Sequence, residues 1–264
     1  MRRLVNYFSN REKREESLAK AAILLPTRAY QELTKPPHIP GNVITGRALH
    51  QIPLLASYSR SGTNWIRYFI ETCSKRPTPG QLRVVKGTHY IIDRAHCAYP
   101  DMHNYCRVVL VLRNYKECLL RHNEKEWVKD RDVVRFLQRQ DIEQPCSWFI
   151  DNLAAFDAFE GEKLLLYYED LMQDPMESFT KLGHILRLKE ARVAKFGAHL
   201  DAHFDGSVNA YKKGGHKSST AKKRDLKAHA DRLLTPEQRV EFDRYYQDNY
   251  PELTRKYLTR YLEA

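Results

Sequence analysis

The chain has 264 residues, 42% of them hydrophobic, and no apolar run long enough to span a bilayer, so a membrane protein is not expected. That length suits one sizeable α/β domain, and residues 1–264 read as a single one. A balance of 44 Lys+Arg against 33 Asp+Glu gives a formal charge of +11, which favours anionic partners: nucleotides, nucleic acid, acidic lipid, or sulfated and phosphorylated metabolites.

Five scattered cysteines (Cys73, Cys97, Cys106, Cys118, Cys146), odd in number and without CxxC spacing, argue for free thiols in a reducing compartment. The first residues carry basic side chains but also Glu15 and Glu16, and resemble no cleaved signal, so a cytoplasmic location is expected. Residues 11–33 predict a charged surface helix, and the Pro-rich piece after it completes an N-terminal connector over 1–42. Strand-length apolar runs then alternate with helical patterns. IPLLASY (52–58) predicts a buried strand and TNWIRYFIETC (63–73) a helix. LRVVKGTH (82–89) predicts a second strand, RVVLVLR (107–113) a third, and YKECLLRHNEKEW (115–127) a helix. SWFIDNLAAFDAF (147–159) predicts an amphipathic helix, KLLLYYED (163–170) a fourth strand, and DPMESFTKLGHILRL (174–188) a helix. A basic Gly/Ser-rich stretch at 209–224 reads as a mobile loop. Thr235 then predicts an N-cap before Pro236, and the tail from 251 reads as helical. Continuous apolar strands separated by helices imply a central parallel sheet with helices on both faces, a three-layer α/β architecture.

The junction LLASYSRSGTNWIRYFIE (54–71) asks what its loop holds. A strand ending in a Ser/Gly/Thr loop and feeding a helix points backbone N–H groups at an anion, and the helix dipole adds positive potential there. Ser61, Gly62, Thr63 and Asn64 are small enough for a phosphate to sit against the backbone, and Arg60 adds a permanent charge. No G-x-x-x-x-G-K-[ST] is present, which removes the best support for a kinase or ATPase. Two further strand ends, Arg113-Asn114 and Tyr168-Glu169-Asp170, fall on the edge where open parallel sheets bind ligands.

Taken in order, these segments resemble the sulfotransferases that use 3′-phosphoadenosine 5′-phosphosulfate (PAPS). The loop Tyr58-Ser59-Arg60-Ser61-Gly62-Thr63-Asn64-Trp65 resembles the family's Y-P-K-S-G-T-T-W, and Arg113-Asn114-Tyr115-Lys116-Glu117 resembles R-N-P-K-D. Tyr168 to Leu171 matches Y-E-D-L, and Lys212-Lys213-Gly214 looks like the R-K-G loop near the C-terminus. The matches span roughly residues 53–215. The resemblance implies a P-loop-like three-layer fold, PAPS as the cofactor with 3′,5′-ADP as its product, no metal, and in-line sulfonyl transfer to a small-molecule acceptor, a hydroxyl before an amine.

It also implies roles. Arg60 stands where the family has its catalytic lysine, as in the P-R-S-G-T-T loop of the tyrosylprotein branch, and would act electrostatically on the departing phosphate. His89 closes a segment like the K-T-H strand end and is the candidate general base, against a plain hydrogen-bonded strand-end residue. The family lysine beside T-H is Gly87 here, and Lys86 stays outside the catalytic set. Arg113 is expected on the 3′-phosphate. Arg121, where the family has serine, reads equally as a second phosphate ligand or a solvated helix charge. Tyr168 reads as an adenine contact or a buried tyrosine. Trp65 reads as a purine stack, favoured by the resemblance, or as core. Lys212, Lys213 and Gly214 read as a loop closing on the phosphate or as a solvated one. HCAYPDMHNYC (96–106) matches no zinc spacing and is taken as an irregular loop, and His122 stays unassigned. The competing classes are a non-catalytic nucleotide- or polyanion-binding protein of the same fold and a nucleic-acid binder. The latter, prompted by the basic 209–224 stretch, lacks a zinc finger, a basic-zipper pattern and an RNA-recognition motif, so no nucleic-acid partner is expected.

Overall fold

The computed structural model describes residues 51–80, 83–87, 89–96, 102–211 and 229–263. The predicted N-terminal helix and connector, and Lys212, Lys213 and Gly214 of the basic loop, lie outside these residues.

Four strands form one sheet in the order β2-β1-β3-β4, every pair parallel: β1 (Leu54–Ser57), β2 (Asp93–Ala95), β3 (Arg107–Leu112) and β4 (Glu162–Tyr167). The register sets Leu55 beside Arg94 on one side and Val109 on the other. The helices are α1 (Thr63–Ser74), α2 (Tyr115–His122), α3 (Glu124–Asp130), α4 (Val133–Gln138), α5 (Ser147–Ala158), α6 (Tyr168–Gln173), α7 (Pro175–Ile185), α8 (Glu190–Gly197), α9 (Leu200–Ala210), α10 (Ala230–Leu233), α11 (Pro236–Asn249) and α12 (Pro251–Leu253).

Alternation along β1 divides the core into two layers. Leu55, with Val109, Val111 and Leu166, packs against Ile66 and Phe69 of α1, Phe179 of α7 and Phe196 of α8. Leu54 and Ala56, with Val108, Leu110 and Leu112, pack against Leu119 of α2, Trp127 of α3, Phe136 of α4, Phe149 of α5 and Phe242 of α11. Both faces of the sheet are therefore covered, which is why its two central strands, β1 and β3, read as apolar runs.

Local chemistry sets the boundaries. Thr235 accepts from the Gln238 N–H while Gln238 returns a bond to the Thr235 N–H, so α11 starts on a capping box with Pro236 at its first position. The helix expected over 115–127 is two helices. Asn123 breaks it, because its side-chain amide donates to the Tyr58 hydroxyl and to the Gln144 carbonyl. Tyr168 begins α6 and does not end a strand. Helices α8 and α9 lie where the sequence pattern weakened.

The strand expected over 82–89 does not form among the described residues of that segment; the second strand is Asp93–Ala95. The reason is Glu71 of α1, fully buried, whose carboxylate accepts from the Thr78 N–H (3.2 Å), the Thr78 hydroxyl, and the N–H groups of Val84 (2.5 Å) and Val85 (3.0 Å). Backbone donors that a sheet ladder would use are thus tied to one side chain. Arg83 bonds the carbonyls of Gly80 and Gly87, closing a loop in which Gly87 has φ +143° and Val84 is 41% exposed. The charge on Glu71 is balanced by Arg67, one turn earlier at 3.7 Å.

Removing one partner of such a buried pair leaves an uncompensated charge and four unpaired donors. Glu71→Ala is expected to cost about 3–5 kcal/mol, read from urea unfolding midpoints. A loss within the range of a surface substitution, about 0.5 kcal/mol, would show that the carboxylate does not organise this loop.

Candidate functional site

The loop between β1 and α1 turns through two left-handed residues, Arg60 (φ +69°) and Gly62 (φ +82°). Gly62 is the N-cap of α1 and offers no side chain to cap it, and the first turn holds no acidic residue. The leading N–H groups of a twelve-residue helix therefore face out without a carboxylate, a place suited to an anion. A Cβ at Gly62 would lie 2.4 Å from the Tyr168 ring, so only glycine fits here. At the base of the loop, the hydroxyls of Ser57 and Thr63 share a hydrogen bond of 3.0 Å.

Arg113, at the carboxyl end of β3 and almost wholly buried, fixes the loop from beneath. It donates from Nη1 to the Arg60 carbonyl (2.8 Å), its guanidinium lies 4.2 Å from the centre of the Tyr168 ring, and Nη2 reaches Glu117 at 3.5 Å. Asn114 then caps α2 through its side-chain oxygen, and Glu169 accepts from the Asn114 N–H (3.1 Å) and the Tyr261 hydroxyl (2.6 Å). Glu117 also accepts from Arg121 Nε (2.7 Å) and from the N–H groups of His229 (3.1 Å) and Ala230 (2.8 Å). Lys116 is buried on Asp243 and the Tyr261 carbonyl, which makes it structural.

Arg60, Ser61, Gly62, Thr63, Arg113 and Tyr168 thus lie together at this edge of the sheet, and Arg121 joins them through Glu117. Asn64 is exposed and accepts from Arg67 (3.4 Å). Trp65 corrects the stacking expectation: it is 2% exposed and enclosed by Phe179, Phe196, Phe204 and Tyr68, with ring centroids 5.1 to 6.0 Å away. Tyr168 corrects the buried-strand expectation: it opens α6, half-buried, and lies between Gly62 and Arg113.

His89 is also displaced from its premise. It closes no strand, its side chain is exposed, and its carbonyl accepts from Arg76 (3.3 Å). The histidine that follows the second strand is His96. Its Nδ1 lies 3.0 Å from the Ser57 hydroxyl and 3.2 Å from the Ser57 carbonyl. A carbonyl only accepts, so Nδ1 carries the hydrogen and Nε2 keeps the lone pair. Burial, and then the charge of Arg94, lower the His96 pKa to about 4, so the ring is neutral near neutral pH. Arg94 is itself lowered to about 10 by burial and by Arg67 beside it. Arg94-Ala95-His96 has the cation–x–histidine spacing of the K-T-H element. That was the available signal, hidden by the literal T-H at 88–89 and by a strand only three residues long. His122 flanks the loop, its ring edge-on to Tyr58 at 6.0 Å, and burial together with Arg60 lowers its pKa.

Ser61 Oγ in the loop and Nε of Arg113, which holds the loop, are buried and lack a hydrogen-bond partner among the described residues, as do Trp65 Nε1 inside the aromatic cluster and Tyr211 Oη. Tyr211 lies under the Arg67 guanidinium, 4.8 Å from its ring centre. The unpaired Ser61 hydroxyl and Arg113 Nε, close to an uncapped helix start, fit a phosphorylated ligand. A separate cleft of about 230 Å³, lined by Asn114, Lys116, Glu117, Ala230, Asp231, Arg239 and Glu263, includes no residue of the Tyr58–Asn64 loop. Among the described residues no cluster of His, Cys, Asp or Glu is arranged to hold a metal, and no helix is long and apolar enough to cross a membrane.

The fold is that of the sulfotransferases. Mouse sulfotransferase SULT7A1 complexed with PAP matches with a TM-score of 0.55 and 18% identity, over 81% of this chain and 90% of that one. Retinol dehydratase in a complex with retinol and PAP matches with a TM-score of 0.50 and 14% identity, over 78% and 82%. No protein-family model matches the chain, and no curated protein sequence does.

The depressed His96 pKa has a measurable consequence. Between 6.5 and about 4 the unfolded chain binds the proton and the folded chain does not, so stability falls as pH drops through that window. Urea midpoints at about pH 7 and about pH 5 should show this loss, and His96→Asn should reduce it. An identical pH slope in the variant would mean that the buried imidazole is not its source.

Proposed function

We propose that this protein is a PAPS-dependent sulfotransferase acting on a hydroxyl of a small-molecule acceptor. The observation that carries the reading is the β1–α1 loop itself: an uncapped helix start, the buried and unpaired Ser61 hydroxyl, and the adjoining Arg60, whose carbonyl is held by Arg113. The solved relatives that share the fold contain PAP, which supports the same reading.

In this proposal the N–H groups at the start of α1, with Ser61, Thr63 and Asn64, hold the 5′-phosphate. Arg113 and Arg121 face the 3′-phosphate, and Lys212, Lys213 and Gly214 are the further candidates for it. Bound PAPS supplies an activated sulfonyl group whose departure leaves 3′,5′-ADP. Arg60 stabilises negative charge growing on the departing phosphate without giving up a proton, since a guanidinium stays charged. The base moves from His89 to His96, whose neutral ring keeps Nε2 free to accept the acceptor's proton. Ser57 fixes the ring through Nδ1. Arg94, two residues before His96, adds positive charge beside it. A hydroxyl is favoured over an amine because a neutral amine needs no base in order to attack. Unbonded Cys73, Cys106, Cys118 and Cys146 support a reducing, cytoplasmic setting.

A transfer assay with PAPS over an acceptor panel, read by mass spectrometry, is the test. Arg60→Ala should lower kcat/KM by about 10²–10³-fold and His96→Ala by about 10²–10⁴-fold, while His89→Ala stays within about threefold of wild type. Binding of 3′,5′-ADP without transfer to any acceptor would favour the non-catalytic nucleotide-binding alternative. A loss in His89→Ala matching that expected for His96→Ala would return the base to position 89.

A further inference from the structure

Glu117 is 3% exposed and divides its two oxygens between two tasks. Oε1 accepts from the N–H groups of His229 and Ala230, at 3.1 and 2.8 Å. Oε2 accepts from Arg121 Nε at 2.7 Å and lies 3.5 Å from Arg113 Nη2. One carboxylate therefore engages both arginines that the nucleotide reading sets against the 3′-phosphate. Two cations and one anion leave a single net positive charge, and the anion is anchored to backbone so that it cannot swing away freely. A second oddity fits the same picture. Arg113 Nε remains buried without a partner while the rest of its guanidinium is engaged, so the group is only partly satisfied by the protein.

We propose that Glu117 limits how strongly this site favours a 3′-phosphorylated nucleotide over one with a 3′-hydroxyl, by holding the charge of Arg113 and Arg121 on its own carboxylate; this rests on the nucleotide reading above. A phosphate dianion entering between the arginines shares them with a fixed like charge at hydrogen-bonding range, and like charges that close repel strongly in a buried setting. A 3′-hydroxyl carries no charge and meets no such repulsion. The 5′-phosphate is held on the β1–α1 loop in both cases, so the ratio of the two affinities isolates what happens at Glu117. Were the two guanidiniums unopposed, two charge-assisted bonds to a dianion would favour the 3′-phosphate by about 10²–10⁴-fold.

Calorimetric titration of the full chain with 3′,5′-ADP and with 5′-AMP tests this. Wild type should favour 3′,5′-ADP by less than about a hundredfold. A preference of a hundredfold or more overturns the proposal without any variant, which keeps the test valid if substitutions at this buried site fail to fold. Glu117→Gln keeps an acceptor for the backbone N–H groups and removes the charge; its preference should rise by about tenfold over wild type. Glu117→Asp keeps the charge, and its preference should stay within about threefold of wild type. Thermal melts establish that each variant is folded. An unchanged ratio in folded Glu117→Gln, or an equal rise in Glu117→Asp, overturns the role of charge. If wild type binds neither nucleotide, the nucleotide reading itself is wrong, an outcome distinct from binding both with an unchanged ratio.

Discussion

The guanidinium of Arg113 joins the end of one strand to the loop of its neighbour. By donating to the Arg60 carbonyl and lying over Tyr168, it holds a left-handed turn, and it does so from a buried position at the ligand edge of the sheet. Gly62 can then sit against the Tyr168 ring, and α1 can start without a side-chain cap. The unmet donors of α1 are a consequence of this arrangement. A helix that begins at a crowded glycine cannot also provide its own acceptor.

The segments around the site are braced by carboxylates, two of them, Glu71 and Glu117, buried. Glu71 folds the 76–87 stretch onto α1, Glu117 binds α2 to the start of α10, and Glu169 ties α6 to α2 and to Tyr261. Asp170 adds a bidentate pair with Arg260. Glu71 and Glu117 each have two or more donors, as burial of a charge requires. Rigid bracing on this edge suits chemistry in which positioning and charge placement, more than covalent participation, lower the barrier.

The sheet was legible because strands covered on both faces must be apolar throughout, and RVVLVL and LLAS are. The Thr235 cap was legible because capping depends on a few adjacent residues. What the sequence concealed depended on partners far along the chain. VVKGTH has strand composition, but nothing within it reveals that Glu71 captures its backbone donors. DRA is too short to signal a strand, so by sequence His96 belongs to the irregular 96–106 loop and not to a strand end. Trp65 could stack or pack by its local sequence; three phenylalanines from α7, α8 and α9 decide for packing. Glu117 pairs with Arg121 only because four residues make one helical turn, a relation present in the sequence but meaningless until both were seen beside Arg113.

The central claim is that the turn between β1 and α1 grips the phosphate of a nucleotide. A crystal structure of the full chain grown with 3′,5′-ADP tests it most directly. The account predicts 5′-phosphate oxygens within hydrogen-bonding distance of the N–H groups at Gly62 to Asn64 and of Ser61 Oγ. Nucleotide density instead in the cleft beside Arg239, with Ser61 still unpaired, would contradict it.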